Sequence, residues 1–108
     1  MNIPFQISHP RSYIAGVGSA LVDMCLQETD DFLASSGAAK GGMTLVESSF
    51  IKDLLTKTER RPTVVPGGSA CNTILGIGKL GGNTKFIGKR GNDDLGLIFE
   101  DGLKNHNV

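Results

Sequence analysis

The sequence predicts an α/β fold with a parallel sheet. Strand–loop–helix units follow one another in the second half of the chain, first Thr63–Val65, Gly67-Gly68 and a helix from Ser69, then Thr84–Gly88, a polar loop and a helix over about Leu95–Asn105. That order is the signature of strands joined by helical crossovers. The glycines agree with it. The 108 residues contain 15, and nine of them fall between Gly67 and Gly96, where strands hand over to helices.

Composition narrows the classes further. Apolar residues make up 39% and charged residues 20%, so the chain can bury a core. Eleven basic residues offset 11 acidic ones, and neither sign runs in a block, which argues against a nucleic-acid groove or a polybasic membrane patch. No apolar run approaches the ~18–20 residues of a membrane span. No signal peptide is visible in Met1–Arg11. Two cysteines, Cys25 and Cys71, make neither a disulfide framework nor a metal site. A reduced, cytoplasmic setting is expected.

In chain order, residues 1–11 read as a disordered leader and 12–108 as the folded part. Ser12–Gly18 reads as a short buried strand. Ala20–Gln27 reads as a strand covered on two sides, with Leu21, Asp23 and Cys25 on one face. Thr29 caps a short helix over about Asp30–Ser36, its two acids favoured by the helix dipole. Met43–Glu47 reads as a further strand, and Ser48 or Ser49 as the cap of a helix to about Lys57, with Phe50, Ile51, Leu54 and Leu55 on one side. Glu59–Pro62 is polar linker, and Thr63–Val65 a strand stopped by Pro66. Ser69 caps a helix to about Leu80, with Ile74, Ile77 and Leu80 at helical spacing. Thr84–Gly88 is a strand, and the last helix carries Leu97, Ile98 and Leu103 as its apolar positions.

Several motifs invite chemistry. Gly16-Val17-Gly18 suggests a dinucleotide turn, but Leu21 stands where the third glycine belongs and a strand follows instead of a helix. A strand whose backbone passes close to another element is the better reading. Gly82 to Lys89 misses the phosphate-loop spacing by one residue, and Arg90 replaces the hydroxyl that would hold magnesium. Gly67-Gly68-Ser69-Ala70-Cys71-Asn72 is the strongest local signal. Paired glycines let backbone approach a ligand, free amides at the helix start donate, and Asn72 carries a donor and an acceptor suited to sugar hydroxyls. An ordinary turn with Asn72 on the surface is the alternative. Gly91-Asn92-Asp93-Asp94-Leu95-Gly96 precedes a helix that Asp93 or Asp94 can cap. Asp23 in an apolar strand is either a ligand-facing acid or a strand end near solvent. Cys25, Cys71, His9 and His106 have no partner spacing, so packing or exposure accounts for them.

Taken together, Pro66-Gly67-Gly68-Ser69-Ala70-Cys71-Asn72 through Leu80-Gly81-Gly82, then Phe86-Ile87-Gly88-Lys89-Arg90-Gly91-Asn92-Asp93-Asp94-Leu95-Gly96, resembles the first signature of the PfkB carbohydrate kinases, the ribokinase and adenosine kinase family. Gly16 to Asp23 is similar to that family's first strand and substrate-binding aspartate. Lys40-Gly41-Gly42-Met43-Thr44-Leu45-Val46 resembles the lid region of its adenosine-kinase-like bacterial members.

The resemblance implies a ribokinase-like, Rossmann-like parallel sheet with a small β lid from strands near 20–27 and 43–47. It implies transfer of the ATP γ-phosphoryl to a primary hydroxyl, with ATP and Mg2+ as cofactors. The acceptor is a sugar or nucleoside, adenosine preferred, with ribose or fructose as alternatives. By position, Asp23, Gly67, Gly68 and Asn72 would bind substrate, a buried acid and an amide converging on hydroxyls. Gly91, Asp93 and Gly96 would shape a strand-to-helix turn. A homodimer through the lid strands is expected, with no nucleic-acid or membrane partner. The family's second signature, a Gly-Ala-Gly-Asp-type loop that supplies the catalytic base, has no counterpart in these residues, and neither catalytic nor metal residues are assigned. The chain is therefore expected to be the N-terminal portion of a kinase, inactive alone, its sheet short of cover. A non-catalytic binding or oligomerisation module is the competing reading.

Overall fold

The computed structural model describes residues 12–108; the expected leader lies outside them. Eight elements follow in order: β1 (Ile14–Val17), β2 (Leu21–Cys25), α1 (Asp30–Ser35), α2 (Ser48–Lys57), β3 (Thr63–Gly67), α3 (Ser69–Lys79), β4 (Thr84–Ile87) and α4 (Asp94–Lys104). They fall into two units, one of residues 12–23 with Val64–Val108, the other of Met24–Thr63. None of the described helices is long and apolar enough to cross a membrane.

In the first unit, β1 and β4 pair in parallel, with Gly16 opposite Phe86 and Val17 opposite Ile87. The α/β class and the parallel pairing are as the sequence predicts. Helix α3 packs on both strands. Its buried side, Cys71, Ile74, Leu75 and Gly78, lies at helical spacing. Cys71 and Leu75 join Phe99 and Leu103 of α4 in the core, with Ala20, Val22, Phe86 and Val108 at its margin. The Phe86 and Phe99 rings meet edge to face, 5.5 Å between centroids. Strand β2 pairs with β3.

In the second unit, Thr29 caps α1 as expected, its hydroxyl accepting from the Phe32 amide at 3.1 Å. Lys40 pairs with Asp30 at 2.8 Å, and Lys57 with Asp53 at 2.8 Å within α2.

Several expectations are corrected. Met43–Glu47 forms no strand. Met43 and Leu45 are 99% and 100% exposed, and alternating apolar residues become a strand only where a partner backbone completes the ladder. Strand β3 runs through Pro66 instead of stopping there. Proline's missing donor is tolerated on an edge strand, and β3 has a single paired neighbour. The Pro66 ring also packs against α4, where a Cβ on Gly102 would stand 2.6 Å from Cδ. Ser48 and Ser69 lie inside their helices; the caps are Glu47 and Gly68, without side-chain cap bonds. β1 and β2 are not buried: Ile14, Val17 and Leu21 are all more than half exposed. Leu80 is 90% exposed because α3 ends at Lys79, and Phe99 takes the buried place expected of Leu97 and Ile98.

Gly16-Val17-Gly18 is followed by β2 and not by a helix, which removes the dinucleotide reading. Its glycines serve packing. A Cβ at Gly16 would overlap Ile74, and one at Gly18 would stand 2.9 Å from the Ala70 methyl.

Ile74 should therefore dominate local stability. Ile74→Ala is expected to cost about 2–5 kcal/mol in urea unfolding. Leu80→Ala, at an exposed site, should stay within about 0.5 kcal/mol. Equal effects would contradict the buried side assigned to α3.

Candidate functional site

The turn from β3 into α3 is built by two glycines. Gly68 takes φ 95°, a conformation that costs an L side chain but not glycine, and it occupies the N-cap position. The helix then starts at once, the Asn72 amide donating to the Gly68 carbonyl at 2.8 Å. Gly67 is buried because the Asp23 side chain of β2 lies against its Cα. A Cβ there would overlap one carboxylate oxygen and stand 2.5 Å from Cγ and 2.7 Å from the other oxygen.

The structure thus brings Asp23, Gly67 and Gly68 together and sets Asn72 in the first turn of the helix they open. Asp23 and Asn72 are both exposed, so the buried acid implied by the family resemblance is an exposed one, and the alternatives of a strand end near solvent and a surface Asn72 describe their exposure. The reason lies in the strand: β2 is open over most of its length, and Asp23 meets solvent as well as glycine. Among the described residues Asp23 is in no ion pair. Cys71, in the first turn of α3, is fully buried. Burial, and secondarily the Asp23 charge, push its thiol pKa up, so Cys71 stays protonated.

The chemistry of this corner is mixed. A carboxylate accepts hydrogen bonds, the uncapped amides at the start of α3 donate them, and Asn72 does both. A hydroxyl-rich ligand satisfies such a set, because each hydroxyl donates to an acid and accepts from an amide. A bare phosphate beside Asp23 would meet its charge. Among the described residues no group of three His, Cys, Asp or Glu could hold a metal ion.

The second loop is a scaffold. Asp93 caps α4, its Oδ1 accepting from the Gly96 amide at 2.8 Å. A Cβ on Gly96 would overlap the Gly91 carbonyl oxygen, so Gly91, Asp93 and Gly96 close one tight turn. Arg90 braces it, donating to the Gly91 carbonyl at 2.8 Å and pairing with Glu100 at 2.6 Å; Lys104 pairs with the other Glu100 oxygen at 2.6 Å. These bonds, first to Lys104 and then to Arg90, hold the Glu100 carboxyl below its ordinary pKa. The Glu100–Lys104 spacing is readable as a helical i,i+4 pair. The Arg90–Glu100 bridge reaches across the loop and leaves no periodic signal.

A sequence model described as pfkB family carbohydrate kinase matches residues 31–108. The chain is 35% identical over 68 residues to a probable fructokinase-7 of Arabidopsis thaliana, covering 63% of this chain and 17% of that protein. It is 38% identical over 58 residues to a fructokinase of Salmonella typhimurium, 54% and 19% covered. Two solved structures superpose over 91% of the chain. One is a probable sugar kinase from Rhizobium etli (TM-score 0.76, 31% identity, 29% of that chain covered), the other an adenosine kinase from Sinorhizobium meliloti (TM-score 0.75, 32% identity, 30% covered). The chain spans less than a third of the length of each of these four.

Two measurements probe the geometry. Gly67→Ala should destabilise the protein by about 1–3 kcal/mol through overpacking, and most of that loss should vanish in an Asp23→Gly background. Additive effects would mean that the carboxylate does not press on Gly67. Glu100, with its folded-state pKa depressed, stabilises the fold above its unfolded pKa and loses that contribution as pH falls through the folded value. Glu100→Gln should therefore lower the Tm near neutral pH, by an amount that shrinks as the pH falls below the unfolded carboxylate's pKa.

Proposed function

The chain belongs to the pfkB family of carbohydrate kinases, and from that membership we propose that it forms the acceptor-binding part of an ATP-dependent sugar or nucleoside kinase. The observation that carries the proposal is the Asp23 carboxylate lying on Gly67 at the uncapped start of α3. In this reading Asp23 accepts hydrogen bonds from acceptor hydroxyls, the first-turn amides beyond Gly68 donate to them, and Asn72 completes the set from α3. Together they orient a primary hydroxyl for transfer. Leaving either polar group unmatched selects against analogues that lack the hydroxyl. Gly91, Asp93 and Gly96 hold the neighbouring turn and stay out of the chemistry.

The γ-phosphoryl comes from ATP in this proposal, as in phosphotransfer generally, with a divalent cation neutralising charge. The donor set among the described residues does not fit a magnesium cage. A cytoplasmic setting is part of the proposal. So is pairing of two copies through the exposed apolar residues Met43 and Leu45, in place of paired strands.

Fructose is the acceptor favoured by the fructokinases among the relatives. Adenosine is the second reading, supported by the superposition on an adenosine kinase and by the Lys40–Val46 segment that resembles such enzymes.

A coupled ATP-consumption assay on the protein expressed from its complete reading frame, with fructose, adenosine and ribose, tests both. Turnover of none of the three would sink the kinase reading. Asp23→Ala and Asn72→Ala should each lower kcat/KM, by about 1–3 kcal/mol where the bound acceptor covers the pair and leaves its own hydroxyl unmatched. Unchanged kinetics in both variants would remove their assigned roles.

A further inference from the structure

The Met24–Thr63 unit carries a cavity of about 430 Å3 walled by Cys25, Gln27, Arg60, Arg61 and Thr63. Its polar groups are two guanidiniums, an amide, a hydroxyl and a thiol; no carboxylate lines it. The arginine turn is fixed from behind. The Arg60 amide donates to the Thr58 hydroxyl oxygen at 3.0 Å, and that hydroxyl donates to the largely buried Glu28 carboxylate. Glu28 also stands 3.8 Å from the Arg60 guanidinium, a loose pairing that partly offsets its charge. Arg61 is in no ion pair among the described residues, whereas Lys40 and Lys57 of the same unit are each paired at 2.8 Å.

We propose that this cavity is a binding site for a small anion bearing a phosphate group, free or esterified, gripped by Arg61 and Arg60 with Gln27 and Thr63 as further donors. Adjacent guanidiniums repel one another, and an anion between them converts that cost into two forked, charge-assisted interactions. A dianionic phosphate matches two cations better than a single carboxylate does. The volume lies in the range of small-molecule sites, so an esterified phosphate fits as well as the free ion. The site takes a charged ligand, unlike the hydroxyl-matched corner at Asp23, and the proposal stands or falls apart from the kinase reading.

Cys25 supplies the readout, because it is exposed and lines the cavity while Cys71 is buried. The full chain is treated with iodoacetamide, and alkylation of each cysteine is followed by mass spectrometry across a titration of inorganic phosphate. Potassium chloride at matched ionic strength serves as the control. Phosphate is expected to slow Cys25 alkylation saturably. Arg61→Ala should raise the half-saturating concentration about tenfold or more, and Arg61→Lys, which keeps the charge but loses the fork, should fall between. A hexose phosphate that saturates at lower concentration than phosphate would identify the ester as the ligand; equal concentrations would identify the free anion. Equal slowing by chloride, or unaltered protection in Arg61→Ala, would overturn the site.

Discussion

Helix α3 rests directly on the bare backbone of β1, and most of the first unit depends on that contact. Ile74 occupies the space that a side chain at Gly16 would fill, and Ala70 does the same beside Gly18. The approach lets one helix bury Cys71, Ile74 and Leu75 at once and gives Phe99 and Leu103 of α4 a surface to close on. Dispersion contacts of this kind are individually weak and add up only at close range. A methyl group on Gly16 would push the helix away from the strand, and the start of α3 would move with it.

The same helix fixes the candidate site. Its first residue follows Gly68, whose positive φ turns the chain from β3 into the helix without a linker. Gly67 precedes it with no side chain, so Asp23 can lie flat on the backbone. Core and site therefore share one element: Cys71 packs in the core one residue before Asn72 faces solvent. The charge of Asp23 reaches that thiol and, together with burial, keeps it neutral. Protein interior and candidate ligand surface are a single helical residue apart.

Much of this was legible in the sequence, for identifiable reasons. Glycine pairs and helix caps act locally, so the Gly67-Gly68 turn, the Thr29 cap and the Asp93 cap could be read from neighbours alone. Exposure is set by what lies across space, and sequence reading failed there. Leu80 fits the apolar spacing of α3 and is nonetheless solvent-facing, because the helix ends one residue earlier. Met43 and Leu45 alternate as a strand would but have no ladder to join. The sequence left Asp23 as either a ligand-facing acid or a strand end near solvent, and it is exposed because β2 is open over most of its length. At the candidate site the glycine turn was legible and the exposure of the side chains around it was not.

The two polar surfaces of the chain differ in the sign of what they can accept, and this follows from how each carboxylate is used. At the β3–α3 turn the acid stands in front: Asp23 is exposed, in no ion pair among the described residues, and adjacent to uncapped amides. A ligand there must donate as well as accept, which selects hydroxyl groups over anions. In the Met24–Thr63 unit the acid stands behind. Glu28 is mostly buried, takes the Thr58 hydroxyl and leans on Arg60, so its charge is spent on holding the arginine turn. What remains facing outward is cationic. An exposed surface ion pair contributes little stability, so the Glu28–Thr58–Arg60 arrangement acts mainly by holding the turn that carries Arg60. A chain with a formal net charge of zero thus presents one mixed donor-and-acceptor surface and one cationic surface, and the balance of 11 acids against 11 bases conceals that division.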